Sequence, residues 1–307
     1  MSTLSPYGMF GFKVRRPLSN QELIHHFSIH EPASEHPHYD LSLTLLNSTF
    51  AECVDKWYAM RGLVLMIASI FGLLSMYGLY TAILISNYES APGWLMLLAL
   101  LPIGMIGWLA YVVTLDAFTY THYPIRFNRK NQQVYAFRRN GSVLKVAWKD
   151  IYWTIHGAGV GVQSIFVAGH VMSPDGQTVQ ETFALAGDTV GKAGEQELRD
   201  LFEFFRLYME KGPEQVLKAL HPTPLIMLPG IHKQKESWRF GWERITLHEN
   251  GSLIGMVLYQ VVAIPMSLFR WIAMRTSKIP QWPQWVEDEC RIEPDDPWIR
   301  DERHAAK

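Results

Sequence analysis

GLVLMIASIFGLLSMYGLYTAILI (residues 62–85) and PGWLMLLALLPIGMIGWLAYVVTL (residues 92–115) decide the fold class, because neither run contains a charged side chain. At about 1.5 Å per helical residue, each exceeds the roughly 30 Å of hydrocarbon in a bilayer. Each run therefore predicts a transmembrane helix, and the pair predicts a two-helix hairpin. Buried helices of soluble proteins are seldom this long without a polar stripe. Glu89 is the one charged residue between Arg61 and Asp116.

The ends of both runs carry amphipathic aromatics, which favour the headgroup region: Trp57 and Tyr58 before the first, Tyr88 and Trp94 around the connector, Tyr120 and Tyr123 after the second. The connector SNYESA (86–91) has no Lys or Arg, whereas Lys56 and Arg61 precede the pair and Arg126, Arg129 and Lys130 follow it. Counting basic residues puts the connector outside and both flanks in the cytoplasm. Ala68, Gly72, Ser75, Gly104 and Gly107 are small enough to let the two helices approach closely. Neither span contains Asp, Glu, Lys, Arg or His, the usual marks of an ion or proton path.

A formal charge of -1 offers no general attraction to nucleic acid, which binds proteins through phosphate neutralisation. Cys53 and Cys290 are too far apart in sequence to suggest a metal motif, and they read as free thiols in a reducing compartment. Lys13, Arg15 and Arg16 are followed by no apolar run before Leu63, so the first membrane helix is expected to direct insertion.

After Tyr123 the pattern changes to β-branched and aromatic runs separated by turn residues: YPIRF, QVYAFR, VLKVAW, IYWTI, SIFVAGHV and TVQETF. Asn140-Gly141 and Pro174-Asp175-Gly176 are hairpin turns by composition. The prediction is an antiparallel meander closed by an amphipathic helix over 194–211. In that helix Leu198, Leu201, Phe202, Phe205, Tyr208 and Met209 share one face, opposite Arg199, Asp200, Glu203 and Arg206. Such a β-roll has a pleckstrin-homology-like pattern, an analogy of fold alone. Of its basic residues, Arg126, Arg129 and Lys130 are the candidates for contact with lipid headgroups.

LIGMVLYQVVAIPMSLFRWIAM (253–274) is long enough to span a membrane but contains Gln260, Pro265 and Arg270. The segment reads as an in-plane or bent helix lying at the inner surface or packed on the module, with a third span as the alternative. The tail IPQWPQWVEDECRIEPDDPWIR (279–300) mixes Trp, Pro and acids and suits docking on another surface. Its acids read as a solvated strip or as partners for the basic patch. Trp282, Trp285 and Trp298 are its candidate partner-binding residues. The chain thus divides into an N-terminal cytoplasmic segment (1–60), the hairpin (61–116), a β-rich module (117–222) and a Trp- and Pro-rich C-terminal region (223–307).

Five histidines lie between His25 and His38, but no His-Glu-x-x-His pattern accompanies them, so a solvated loop is expected and no metal site. Gly157, Gly159 and Gly161 lack the dinucleotide spacing, and GDTVGK (187–192) is one residue short of a phosphate loop and lacks its Ser or Thr. No catalytic constellation, cofactor or metal is predicted.

HYPIRFNRKNQQVYAFRRNGSVLKVAWKDIYW (122–153) directly after a membrane hairpin, together with IPQWPQWVEDECRIEPDDPW (279–298), resembles an uncharacterised family of proteobacterial membrane proteins. Its members are often encoded beside type VI secretion genes, near spike proteins, effectors and immunity proteins. The resemblance offers no catalytic residues to carry over; together with the absence of a catalytic constellation it suggests a non-enzymatic, multi-pass inner-membrane protein that binds an effector or secretion component through its cytoplasmic module and tail, as an immunity or accessory protein. The alternative is a membrane-active effector whose hairpin inserts into a target membrane.

Overall fold

The computed structural model describes residues 4–39, 41–87, 92–157, 164–222, 225–246 and 253–304. The connector around Ser90, and Gly159 and Gly161, lie outside them. The N-terminal part forms β1 (Arg16–Pro17), α1 (Asn20–Ile24), β2 (His26–Phe27), β3 (Leu43–Leu46) and β4 (Phe50–Cys53). Two apolar helices follow, α2 (Leu63–Ser86) and α3 (Leu100–Asp116). Next come β5 (Ile125–Asn128), β6 (Gln133–Phe137), β7 (Val143–Ala147), β8 (Ile151–His156), β9 (Phe166–Met172) and β10 (Thr178–Ala184). The helices α4 (Gly191–Lys211), α5 (Pro213–Leu220), α6 (Trp238–Thr246), α7 (Leu253–Thr276) and α8 (Gln284–Glu289) complete the order.

The chain forms two compact units that cut across the division read from the sequence. A sheet unit combines Met1–Ala59, His122–Gln234 and Ile279–Lys307; a helical unit combines Met60–Thr121 and Lys235–Lys278. The N-terminal segment up to Ala59 is thus part of the β-rich body, and the expected single meander is two antiparallel sheets. Their strand orders are β1-β10-β9-β8-β2 and β3-β4-β5-β6-β7. The chain changes sheet at the 3-10 turn Trp148–Asp150, and N-terminal strands complete both sheets. At two residues each, β1 and β2 are too short to show a periodicity of 2.

Helix α4 carries the expected apolar face, with Leu198, Leu201, Phe202, Phe205, Tyr208 and Met209 all buried. Phe202 stacks on Phe27 with ring centroids 4.5 Å apart, and Phe205 on Phe127 at 4.4 Å. Trp153 lies among Phe127, Trp148, Phe183 and Phe202. The face expected in solvent is partly covered. Glu203 and Arg206 are buried as an ion pair, and Glu203 also accepts from the backbone N–H of Ala33 at 2.9 Å. Part of the histidine-rich segment therefore packs on this helix: Ser34 hydroxyl and His38 N–H both bond to Asp200. Tyr58 and Tyr123, expected at the headgroups, are buried in the sheet unit, and Trp57 packs on Phe10 and Phe12.

In the helical unit, α2, the segment Met96–Asp116 and the segment Ile254–Thr276 are each long and apolar enough to cross a membrane. The Asp116 carboxylate accepts from the N–H groups of Gly62 and Leu65, and Arg61 bonds to both its side chain and its carbonyl. These bonds satisfy free donors at the start of α2 and bring negative charge to its positive end. Gly62 has φ +87, and a Cβ there would meet the backbone N of Arg270 at 2.2 Å, so a side chain is excluded twice over. The small residues follow expectation only in part. Ala68 is buried, whereas a Cβ on Gly72, Gly104 or Gly107 would meet open space.

Two of the interruptions of α7, Gln260 and Arg270, and its buried Ser267 are answered by α6 or the residues before it. Gln260 accepts from the Trp242 indole at 2.8 Å, Ser267 from the Trp238 indole at 2.9 Å, and Arg270 donates to Glu236 at 2.6 Å.

Replacing Phe202 with Ala should cost about 3–5 kcal/mol, the range for deleting a buried aromatic ring. Thermal unfolding of the purified chain should show a clear fall in midpoint, while the exposed Lys218→Ala control should unfold at the parental temperature. An unchanged midpoint for Phe202→Ala would remove that ring from the core.

Candidate functional site

Ser19, Asn20, Gln21 and Glu22 form a capping box at the start of α1. The Ser19 hydroxyl accepts from Glu22 N–H at 3.3 Å, and Ser19 N–H donates to Glu22 Oε2 at 2.7 Å. This local turn places the Glu22 carboxylate, 2 % exposed, against the sheet of β8 and β9. There Arg16 grips both oxygens, His156 Nδ1 lies 2.8 Å from Oε1 and His170 Nε2 3.1 Å from it. Burial pushes the Glu22 carboxyl up, but the bonds from His156, His170, Arg16 and Ser19 outweigh it and hold the group well below the usual range. Burial pushes His170 down, with Glu22 opposing, so the ring is neutral. An ionised carboxylate only accepts, which puts the His170 proton on Nε2 and leaves Nδ1 to accept from the Thr182 hydroxyl at 2.8 Å.

The three ligand atoms of Glu22, His156 and His170 lie within 4.8 Å of one another, close enough to share a divalent cation. Arg16 already brings a positive charge to both carboxylate oxygens, however, and the group is complete as an ion-pair and hydrogen-bond network. His156 borders a shallow cleft lined also by Phe12, Lys56, Trp57, Ser164 and Phe166. Lys56 is paired with Asp188 at 3.2 Å and lies 3.7 Å from the centre of the Phe166 ring. Burial pushes its ammonium pKa down, with Asp188 opposing.

None of this site follows from the histidine-rich stretch. His25, His26 and His30 are not members, and Glu22 is 134 and 148 positions from its two histidine partners. The legible trace was the Ser-x-x-Glu pattern at 19–22.

The residues singled out for partner and lipid contact meet on the other sheet, where the tail docks. Trp282 donates to Glu52 Oε2 at 2.8 Å and packs edge-on against Phe137. Arg126, expected to face headgroups, is buried instead. Its partners are Glu52 at 2.5 Å and Glu287 at 3.0 Å, with the Trp282 ring over its guanidinium. Arg129 is half-buried beside Gly212, and exposed Lys130 pairs with Glu293. Lys145 pairs with Glu289, whose carboxylate also accepts from the Tyr135 hydroxyl and the Asn131 amide. Glu287, Glu289 and Glu293 of the tail are thus partners of the basic patch, whereas Asp296 accepts from Ser48. Trp298 is half-buried, while Trp285 is 42 % exposed over Tyr135.

Two linked groups set an acid limit on stability. With its pKa depressed in the fold, neutral His170 contributes stability that is complete above about pH 6.5 and declines as pH falls; ionised Glu22 contributes stability that declines below about pH 4.5. Glu22→Gln should lower stability at pH 7.5 by about 3 kcal/mol, the low end for breaking a buried pair because Arg16 is partly exposed. It should also flatten the part of the acid limb below about pH 4.5 in a series of unfolding midpoints from pH 8 to pH 3. An acid limb as steep as the parent's would show that the carboxylate does not carry this linkage.

No curated protein and no solved structure matches the chain. A family match covers residues 103–294, from within α3 to the docked tail, leaving the N-terminal strands and α2 outside it. That stretch is more than half of the sequence, and the chain belongs to DUF6708, a family of unknown function.

Proposed function

We propose that this chain is a membrane-anchored, non-enzymatic binding protein, with α2 and α3 as a transmembrane hairpin and the sheet unit in the bacterial cytoplasm. Its role is that of an immunity or accessory protein of a type VI secretion neighbourhood, and its partner is an effector or secretion component. One observation carries the binding reading: the exposed indole of Trp285 stands over Tyr135, whose hydroxyl bonds to Glu289, itself paired with Lys145. A Trp held on an ordered platform is the kind of side chain that dominates interface energy, since little entropy is lost when a partner covers it. Lys56 of the cleft pairs with Asp188, and Glu22 with His156 and His170, which suits a structural role. Exposed Leu73, Leu74, Ile103 and Tyr111 on the apolar helices suit contact with lipid.

The test is expression of the gene alone and beside each neighbouring gene, with growth scored and partners pulled down from solubilised membranes. The chain should be harmless alone. Trp285→Ala should remove partner capture at unchanged membrane abundance, whereas Trp282→Ala should lower abundance, because it leaves Glu52 short of a donor. Toxicity of the chain expressed alone would transfer the assignment to a membrane-active effector. Full capture by Trp285→Ala would remove this surface from the interface.

A further inference from the structure

We infer that α7 does not cross the bilayer, and that α6 and α7 form a hairpin lying in the headgroup region of the cytoplasmic leaflet. Its apolar face takes lipid as its partner. The inference rests on the membrane reading proposed above and sets the in-plane reading of 253–274 against its alternative, a third span.

Chain parity supplies the first reason. Gln234 and Ile279, on either side of the segment containing α6 and α7, both belong to the sheet unit. A body built on shared strand ladders lies on one side of a membrane, so residues 235–278 cross an even number of times or not at all. Contacts inside the helical unit bring the two ends of the segment together. Lys235 Nζ donates to the Arg275 carbonyl at 2.6 Å, and Glu236 pairs with Arg270. If α7 crossed once, residues 236–252 would have to supply the return.

They are unsuited to it. Helix α6 has nine residues, about 13 Å at 1.5 Å per residue and less than half of a hydrocarbon core. Its Arg239 side chain is 84 % exposed and pairs with Glu243, a charge pair that hydrocarbon would have to accept. Helix α7 is moreover two-sided. Gln260, Ser267 and Arg270 meet groups on α6 or just before it, while Ile254, Val257, Leu258, Val261 and Leu268 are exposed. An apolar face on one side and a charged helix on the other is the design of an interfacial element, whereas α2 exposes apolar residues with no charged helix against it. The apolar cluster joining α7 to the other two helices is confined to their bases. It consists of Leu65, Val113, Ala117, Phe269, Ile272 and Ala273.

The test uses the full chain in cells and in inverted membrane vesicles, with an impermeant maleimide and single cysteines placed by Ser90→Cys, Ser142→Cys and Ser252→Cys. The native Cys53 and Cys290 are buried and set the background. Ser252→Cys should label from the side that labels Ser142→Cys, and Ser90→Cys from the opposite side. Labelling of Ser252→Cys with Ser90→Cys, or its protection from both sides until detergent is added, would overturn the inference alone. Release of the chain from membranes by alkaline carbonate, or labelling of Ser90→Cys from the Ser142 side, would overturn the membrane reading beneath it.

Discussion

The ladder between β4 and β5 is the constraint on which the remaining structure depends. Phe50, Ala51, Glu52 and Cys53 pair with Asn128, Phe127, Arg126 and Ile125, and both α2 and α3 lie between those strands in the chain. Neighbouring strands are about 4.8 Å apart, so the ends of a long apolar insertion are held at one spacing of a sheet. The tail then returns to the same strands. Asn128 donates to the Glu289 carbonyl, and Leu46 of β3 exchanges backbone hydrogen bonds with Arg300. Residues from before, between and after the apolar helices must meet before this sheet is complete. Contacts this distant in sequence form late, because the loop entropy is lost before the pairing rewards it.

Buried charges specify how these segments meet. Glu52 and Arg126 face each other across the ladder, and Glu287 and Trp282 from the tail close over them. Glu22 joins the N-terminal segment to β8 and β9 through two histidines, and Glu203 with Arg206 receives the chain around Ala33. In the helical unit, Asp116 joins the end of α3 to the start of α2, and Arg270 joins α7 to Glu236. Each pair costs desolvation that its attraction roughly offsets, so its contribution to net stability is small. Misplacing one partner leaves a buried charge uncompensated, and that penalty discriminates against wrong arrangements of three distant chain segments.

The limits of the sequence reading follow from the same contacts. The apolar runs, the face of α4 and the tail's docking composition were legible because each is a local pattern: absence of charge over 24 residues, a 3.6-residue stripe, a mixture of Trp, Pro and acid. Arg126 was misread as a headgroup contact, since a basic residue near an apolar run has the same sequence signature in solvent as in a buried pair. Glu22, His156 and His170 were missed because no local periodicity links residues that far apart.

By itself the sequence determined that the chain has segments able to cross a membrane, that strands follow them, and that an amphipathic helix closes the strand-rich part. Tertiary structure alone decided that the strands form two sheets, each completed by short N-terminal strands, and that Trp282 is a packing residue while Trp285 is left exposed. It also decided which polar residues of α7 are satisfied. The reason is physical: hydrophobic periodicity records which side of an element is buried, but strand pairing, ion pairing and the answer to an isolated Gln or Arg depend on groups that only the folded chain brings near.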